Sequence, residues 1–266
     1  GQALRRVRRN GRPAYRVTGL TRTSAGLREA IRSGAIDAGS VVSAEALEGA
    51  DIVVLCVPVQ EIAPFARRLK RHLPKGAIVT DVGSVKEPVV AGLRKALSGR
   101  RDLLIVGGHP MAGSEKKGIR NAQPGLFRGA TCALTSGAPR ATLAVRRMWR
   151  DAGASCVEIP ARTHDHWIAL ISHLPHLLAF SLVAQVSGAA SRDARIRSLI
   201  AGSFRDMTRV AAADATLWSG VLSLNRAAVA AAFRDFSRHA AAFAGRDIKT
   251  LRAAIARVAR QKKALA

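Results

Sequence analysis

The chemistry in this 266-residue chain gathers around one histidine. His109 heads the segment His109-Pro-Met-Ala-Gly-Ser-Glu-Lys-Lys-Gly118 and directly follows the apolar run Leu103-Leu-Ile-Val-Gly-Gly108. An imidazole with its ordinary pKa of about 6.5 is suited to accepting a proton at neutral pH. Gly107, Gly108 and Gly113 leave room for a ligand close to the backbone. Two earlier apolar runs end in a similar way: Ile52-Val-Val-Leu-Cys-Val57 stops at Pro58, and Ala77-Ile-Val-Thr80 runs into Asp81-Val-Gly-Ser84. Ser84 can cap the helix that follows it, and it can also turn its hydroxyl toward His109 or a substrate oxygen. In a doubly wound sheet ligands bind beyond the carboxyl ends of the strands, so Pro58, Ser84 and His109 should face one crevice.

A second group of candidates lies in the other half of the chain. His164, His166, His173 and His176 crowd the stretches Thr163-His-Asp-His-Trp167 and Ser172-His-Leu-Pro-His176. No cysteine joins them, and Pro175 interrupts regular helical presentation, so polar contacts into the crevice fit better than a zinc site. Arg205 and Arg209 are spaced i, i+4 with Asp206 between them, which by spacing alone describes a solvated helix face. Trp218 either walls a pocket or fills a helical core.

Elements must position these groups. Strands are expected at about 15–20, 52–57, 77–80, 103–108, 131–135 and 155–159, with a minimal one at Val41-Val42. Helical spacing recurs in Leu27, Ala30, Ile31; in Ile62, Phe65, Leu69, Leu73; in Val89, Val90, Leu93, Leu97; and from Leu143 to Asp151. Strand alternating with helix implies right-handed crossovers and a parallel sheet. Pro160 marks a change, since no later segment alternates like a strand and alanine-rich helix formers dominate. The expected architecture is an α/β Rossmann-type parallel-sheet domain, 1–160, followed by an all-helical domain, 161–266, whose surplus apolar positions imply packing on a second copy.

The net charge of +25 would suit a polyanion, yet the arginine clusters fall on the polar faces of amphipathic helices and aromatic content is only 4%. We read a solvated arginine-rich surface, with nucleic acid not expected as a partner. No apolar run approaches the ~20 residues of a bilayer span and no signal peptide is evident, so a cytoplasmic protein is expected. Cys56, Cys132 and Cys156 lack metal-ligand spacing and read as buried thiols.

Taken in series, Asp81-Val-Gly-Ser-Val-Lys86, His109-Pro-Met-Ala-Gly-Ser-Glu115, Ser172-His-Leu-Pro-His176 and Phe204-Arg-Asp-Met-Thr-Arg209 resemble the prephenate dehydrogenase family over about residues 15–226. The resemblance implies an NAD- or NADP-binding domain joined to a helical domain that dimerises by intertwining. It implies oxidative decarboxylation of prephenate to 4-hydroxyphenylpyruvate in tyrosine synthesis, with arogenate, which would give tyrosine directly, as the alternative substrate. On this resemblance His109 would bind the ring hydroxyl and accept its proton, and Ser84 would hydrogen-bond that hydroxyl and the histidine. Arg209 would clamp a carboxylate, His176 would contact the substrate, and Glu115 would belong to a gate. Val57, Pro58 and Ser84 would line the cofactor side.

The chain also departs from the family pattern. The glycine-rich fingerprint and the strand before it are absent, because residues 1–9 read as mid-helix, so a gap in the sheet and a fragment of a longer protein are expected. Thr21-Arg22 stands where an acidic residue commonly holds the ribose, which admits NADP. Asp214-Ala215 replaces a usual aspartate-proline. Two rivals remain: a relative of the β-hydroxyacid dehydrogenases, which generally rely on a lysine base, and a catalytically silent basic dimer that binds polyanions.

Overall fold

The computed structural model describes residues 1–41, 44–113 and 118–265. The first residues make a single helical turn, α1 (Gln2–Arg5), and a small antiparallel ribbon of β1 (Arg8–Arg9) with β2 (Arg12–Pro13). Tyr15, expected to begin a strand, instead donates its hydroxyl to Asp151, and the strand starts later as β3 (Thr18–Thr21). The α2 helix (Ser24–Arg32) is capped by Thr23, whose Oγ1 accepts from the Gly26 amide at 3.1 Å. It leads to β4 (Ala38–Val41), which pairs with β3 in parallel. Val42 lies outside the described residues.

A second parallel sheet follows. Strands β5 (Ile52–Leu55), β6 (Ile78–Asp81) and β7 (Leu104–Val106) lie side by side in that order, with α3 (Ile62–Leu69) and α4 (Glu87–Ala96) as crossovers. Among the described residues no ladder joins β3 to β5, so the two sheets stay separate, which is the gap expected from the sequence.

The chain turns sharply at Gly107, whose amide donates to Thr135 Oγ1 at 2.9 Å. It continues as β8 (Gly108–Pro110), which pairs antiparallel with β9 (Thr131–Leu134). The all-parallel expectation therefore fails at this one join. Among the described residues between β8 and β9 there is no crossover helix long enough to return the chain in parallel, only a short 3-10 turn at Ile119–Asn121. Beyond it, β9 pairs in parallel with β10 (Ser155–Glu158) across α5 (Pro139–Asp151).

Helices cover both faces of the sheet. Ile62 and Leu93 from α3 and α4 are fully buried against Val79, each contributing about 2 kcal/mol by removal from water. On the opposite face, Val145, Met148 and Trp149 of α5 pack on Val106 and Leu134. Cys132 is buried and Cys156 partly so, but Cys56 is exposed beyond β5, against the reading of three buried thiols.

From Ala161 onward every described element is helical. α6 (Ala161–Ile168) passes through a π turn (Ala169–His173) into α7 (Leu174–Arg192) without a break. The wider turn lets Pro175 sit inside a continuous helix rather than end one. The combined span Ala161–Arg192 is long and apolar enough to cross a membrane by length and composition, contrary to the expectation of no such run. Short helices α8 (Gly202–Thr208) and α9 (Ala215–Leu224) follow, then α10 (Arg226–Ala244) and α11 (Ile248–Leu265). α9 presses on the turn Val59–Glu61 after β5, where a side chain at Gly220 would meet Gln60 at 2.2 Å. The helical half is thus seated at the carboxyl ends of the strands.

Candidate active site

β8 carries His109. Its register is fixed by Gly108, whose amide donates to Asp81 Oδ1 at 3.1 Å and whose carbonyl accepts from Lys86 Nζ at 2.7 Å. Lys86 also forms a buried ion pair with Asp81, and both side chains are fully shielded from solvent. Burial pulls the Lys86 ammonium below its ordinary pKa, and the carboxylates of Asp81 and Asp165 oppose that shift. A fully enclosed pair of this kind serves positioning more than stability, because desolvation consumes much of the Coulombic gain.

The partner of His109 comes from α6. His109 Nδ1 lies 2.9 Å from Nε2 of His164, and His164 Nδ1 lies 2.8 Å from Oδ1 of Asp165. The Asp165 carboxylate also accepts from the backbone amides of Lys86 at 2.6 Å and Glu87 at 2.8 Å. It therefore caps the N-terminus of α4, the role anticipated for Ser84. Because a carboxylate only accepts, the proton of His164 must be on Nδ1, and its Nε2 must accept from His109 Nδ1–H. That assignment leaves the Nε2 lone pair of His109 without a partner among the described residues. Burial, reinforced by His164 and by the positive charge of Lys86, pushes the His109 imidazole down to about 3. It is therefore neutral across the physiological range, and the same desolvation that keeps it neutral lowers its basicity.

The network continues into the helical half. Asn225, at the end of α9, donates through Nδ2 to the Asp165 carbonyl at 2.9 Å and to His173 Nδ1 at 3.1 Å. Burial pushes His173 down to about 4, with His164 and His176 adding to the shift and Asp165 opposing it. Its Nε2 is buried without a hydrogen-bond partner among the described residues. Trp218 meets His173 edge-on, with ring centroids 5.9 Å apart, and stacks on His176 at 3.5 Å. Trp218 also packs against the sheet core, so it fills core and flanks the site at once.

His109, His176 and Trp218 are thereby joined through direct contacts. Arg209 is exposed and opens a short helical turn, Arg209–Ala212, because α8 ends at Thr208; the i, i+4 face expected with Arg205 is not continuous helix. Its charge contributes to lowering the His176 pKa, behind burial. Ser84 lies in the turn between Asp81 and Lys86, half-buried. Among the described residues its hydroxyl makes no hydrogen bond to His109, whose ring is held by His164 instead. Glu115 lies outside the described residues.

Of the residues expected to line a cofactor, Val57 and Pro58 follow β5, Thr21 ends β3, and Arg22 just beyond it is exposed. A glycine-rich pyrophosphate turn between a first strand and helix is absent from the described residues. The sequence reasoning missed Asp81 and Lys86 as the brace of β8, and the His164–Asp165–Asn225 relay. The His-Asp pair inside Thr163-His-Asp-His-Trp167 was its only visible signal.

The chain matches two family models in succession: the prephenate dehydrogenase nucleotide-binding domain over residues 3–158, and the prephenate dehydrogenase dimerization domain over 160–256. It is 36% identical over 189 residues to a cyclohexadienyl dehydrogenase of Zymomonas mobilis, covering 70% of this chain and 64% of that one. It is 35% identical over 177 residues to a prephenate dehydrogenase of Lactococcus lactis, covering 66% and 49%. The chain thus spans about half to two thirds of the length of these curated relatives. Its backbone superposes on the prephenate dehydrogenase of Aquifex aeolicus, crystallised with hydroxyphenyl propionate and NAD+, with a TM-score of 0.88 at 28% identity. That match covers 100% of this chain and 93% of the other. A Synechocystis arogenate dehydrogenase gives a TM-score of 0.79 at 26% identity, with coverage of 94% and 91%.

Proposed function

This chain belongs to the prephenate dehydrogenase family, and from that premise we propose that it serves oxidative decarboxylation of prephenate to 4-hydroxyphenylpyruvate with hydride transfer to NAD or NADP. The observation that carries the reading is the Nε2 of neutral His109, unpartnered among the described residues and fixed in that tautomer by His164 and Asp165. The ring hydroxyl of the substrate gives its proton to His109 Nε2. The nicotinamide, when bound, supplies the hydride acceptor. Loss of carbon dioxide and gain of aromaticity drive the product forward, so the protein's task is positioning and proton removal.

Arg209 offers a substrate carboxylate a guanidinium with no acidic partner among the described residues, and His176 stacked on Trp218 forms an adjoining wall. Ser84 has a hydroxyl with no hydrogen-bond partner among the described residues, which suits it to the substrate oxygen, and Glu115 is the candidate for a gate. Val57, Pro58, Thr21 and Arg22 make up the cofactor side. The division of labour follows the two halves, 1–160 for the nucleotide and 161–266 for substrate and dimerisation. A homodimer is supported by apolar side chains left bare on the helical half, among them Leu170 and Ile171. The cytoplasm is the setting that suits such an enzyme.

The test is absorbance at the reduced-nicotinamide band, measured on the product of the complete gene with prephenate and with arogenate, each against NAD and NADP. Signal with prephenate supports the reading. Signal with arogenate alone moves the substrate assignment. Silence in all four, from a folded protein, overturns it in favour of a non-catalytic basic dimer.

A further inference from the structure

The carboxyl end of β3 combines features that bear on which dinucleotide the protein takes. The strand ends at Thr21, and Arg22, Thr23 and Ser24 lead directly into α2. In a dinucleotide-binding sheet this is where the adenosine ribose sits. A carboxylate here hydrogen-bonds the 2'-hydroxyl of NAD and repels the 2'-phosphate of NADP. The position is occupied by a threonine whose hydroxyl is turned back onto the Thr23 carbonyl at 3.2 Å, so it offers no anionic acceptor.

The start of α2 is just as poor in negative charge, and Glu45, on the turn packed against β3, belongs to a segment anchored at the opposite end of the strand, where Thr18 Oγ1 donates to the Ala46 carbonyl at 2.7 Å. The first turn of α2 contains no acidic residue. The acid further along it, Glu29, is already paired with Arg120 at 2.7 Å. Arg22 is exposed and has no acidic partner among the described residues. A guanidinium placed there can pair with a phosphate through two parallel hydrogen bonds and lie flat against a purine face. Thr23 is committed to capping the Gly26 amide. That leaves the exposed Ser24 hydroxyl, with the amides at the start of the helix, as further donors.

Resting on the nucleotide-binding role proposed above, we infer that Arg22, with Ser24 beside it, forms a 2'-phosphate site that selects NADP over NAD. Positive charge alone does not make the argument, since the chain carries a net charge of +25 throughout. It rests on an arginine without an acidic partner, a hydroxyl and the lack of a carboxylate, among the described residues, at the one strand end where the two cofactors differ.

The test uses the chain as it stands and small probes that need no pyrophosphate cradle. Calorimetric titrations would compare adenosine 2',5'-bisphosphate, adenosine 3',5'-bisphosphate and 5'-AMP. The two bisphosphates carry the same charge and differ only in which ribose oxygen bears the second phosphate. The expected result is that the 2',5' isomer binds about tenfold or more tighter than the other two, and that Arg22→Glu removes this advantage. Arg22 is exposed, so that variant should keep the parent's circular dichroism and melting behaviour. Equal binding of the two bisphosphates would mean that the general basic field is responsible, and would overturn the inference. So would an Arg22→Glu variant that kept the preference. Preference for the 2',5' isomer together with no dehydrogenation by the complete gene product would leave the site standing while the proposed reaction failed.

Discussion

At the scale of single residues, the reactive state of His109 is set by a group it does not touch. Asp165 accepts from His164 and from two backbone amides, which requires two acceptor oxygens. Asp165→Asn has one oxygen and one amide, so a donor must face a donor: the cap on α4 weakens, or His164 turns to its other tautomer. In the second case His109 loses the acceptor that holds its proton on Nδ1. We expect kcat of the complete gene product to fall roughly 10²- to 10³-fold with little change in cofactor affinity. Unfolding free energy should fall by about 1–2 kcal/mol. Wild-type kcat with undiminished stability would refute the shared role of Asp165 in relay and cap, whereas lost stability alone would mean that the asparagine kept its oxygen on His164.

The same burial makes a prediction about pH. His109 and His173 are pushed down to about 3 and about 4, so in the folded protein both stay neutral where the unfolded chain takes up protons. With more protons bound by the unfolded state, stability must decline as pH falls through the ordinary imidazole value. The loss by pH 5 should be on the order of 3 kcal/mol for the two together. Urea midpoints at pH 7, 6 and 5 should decrease in that order, and a constant midpoint would show that these rings are not desolvated. His109 was legible in the sequence because its neighbours announce it: an apolar run before, glycines on both sides. His164 was legible only as one of four candidates for a polar contact into the crevice, because its relay role depends on a contact 55 positions away that no local spacing reports.

At the scale of elements, the site depends on β8 lying tight against β6. A side chain at Gly108 would reach 2.7 Å from the Asp81 backbone carbonyl, which cannot move aside without opening the sheet. Gly108→Ala should therefore cost about 1–3 kcal/mol of stability and displace His109 from His164. The checks are thermal unfolding and kcat, which should fall together; an alanine variant with unchanged kcat would mean that the strand tolerates the shift. Most strands and helices of the first half could be read from periodicity because each buries its own apolar face. The antiparallel join of β8 to β9 could not, since strand direction is decided by the connection rather than by the pattern of either strand. Pro175 interrupts regular helix, as its sequence position implied, but does not end it. It forbids a hydrogen bond at one position, and the π turn before it absorbs that loss without ending the helix.

At the scale of the whole molecule, the helical half leaves an unusual amount of apolar surface bare. Trp167, Leu170 and Ile171 are each more than half exposed, and all lie on the continuous span from Ala161 to Arg192, whose most apolar 18-residue stretch is apolar enough for a bilayer yet only 28% buried. In water such a face must be covered. The dimerization-domain match over 160–256 supports a second copy as the cover, with the same surface of both protomers facing each other. The site network passes through this region, since His173 belongs to the π turn that contains Leu170 and Ile171. Dimerisation and the geometry around His109 should then be coupled. Replacing Leu170 and Ile171 together by aspartate inserts charge into a face that has to desolvate, so the variant should sediment as a monomer at concentrations where the parent is dimeric. Because those positions are exposed in the single chain, the Rossmann half should keep its fold. Turnover, however, should fall with the loss of the partner. Sedimentation velocity paired with an activity titration over protein concentration would test this. A double variant that remained dimeric would move the interface to another face, and one that became monomeric with full activity would show that each subunit's site stands alone.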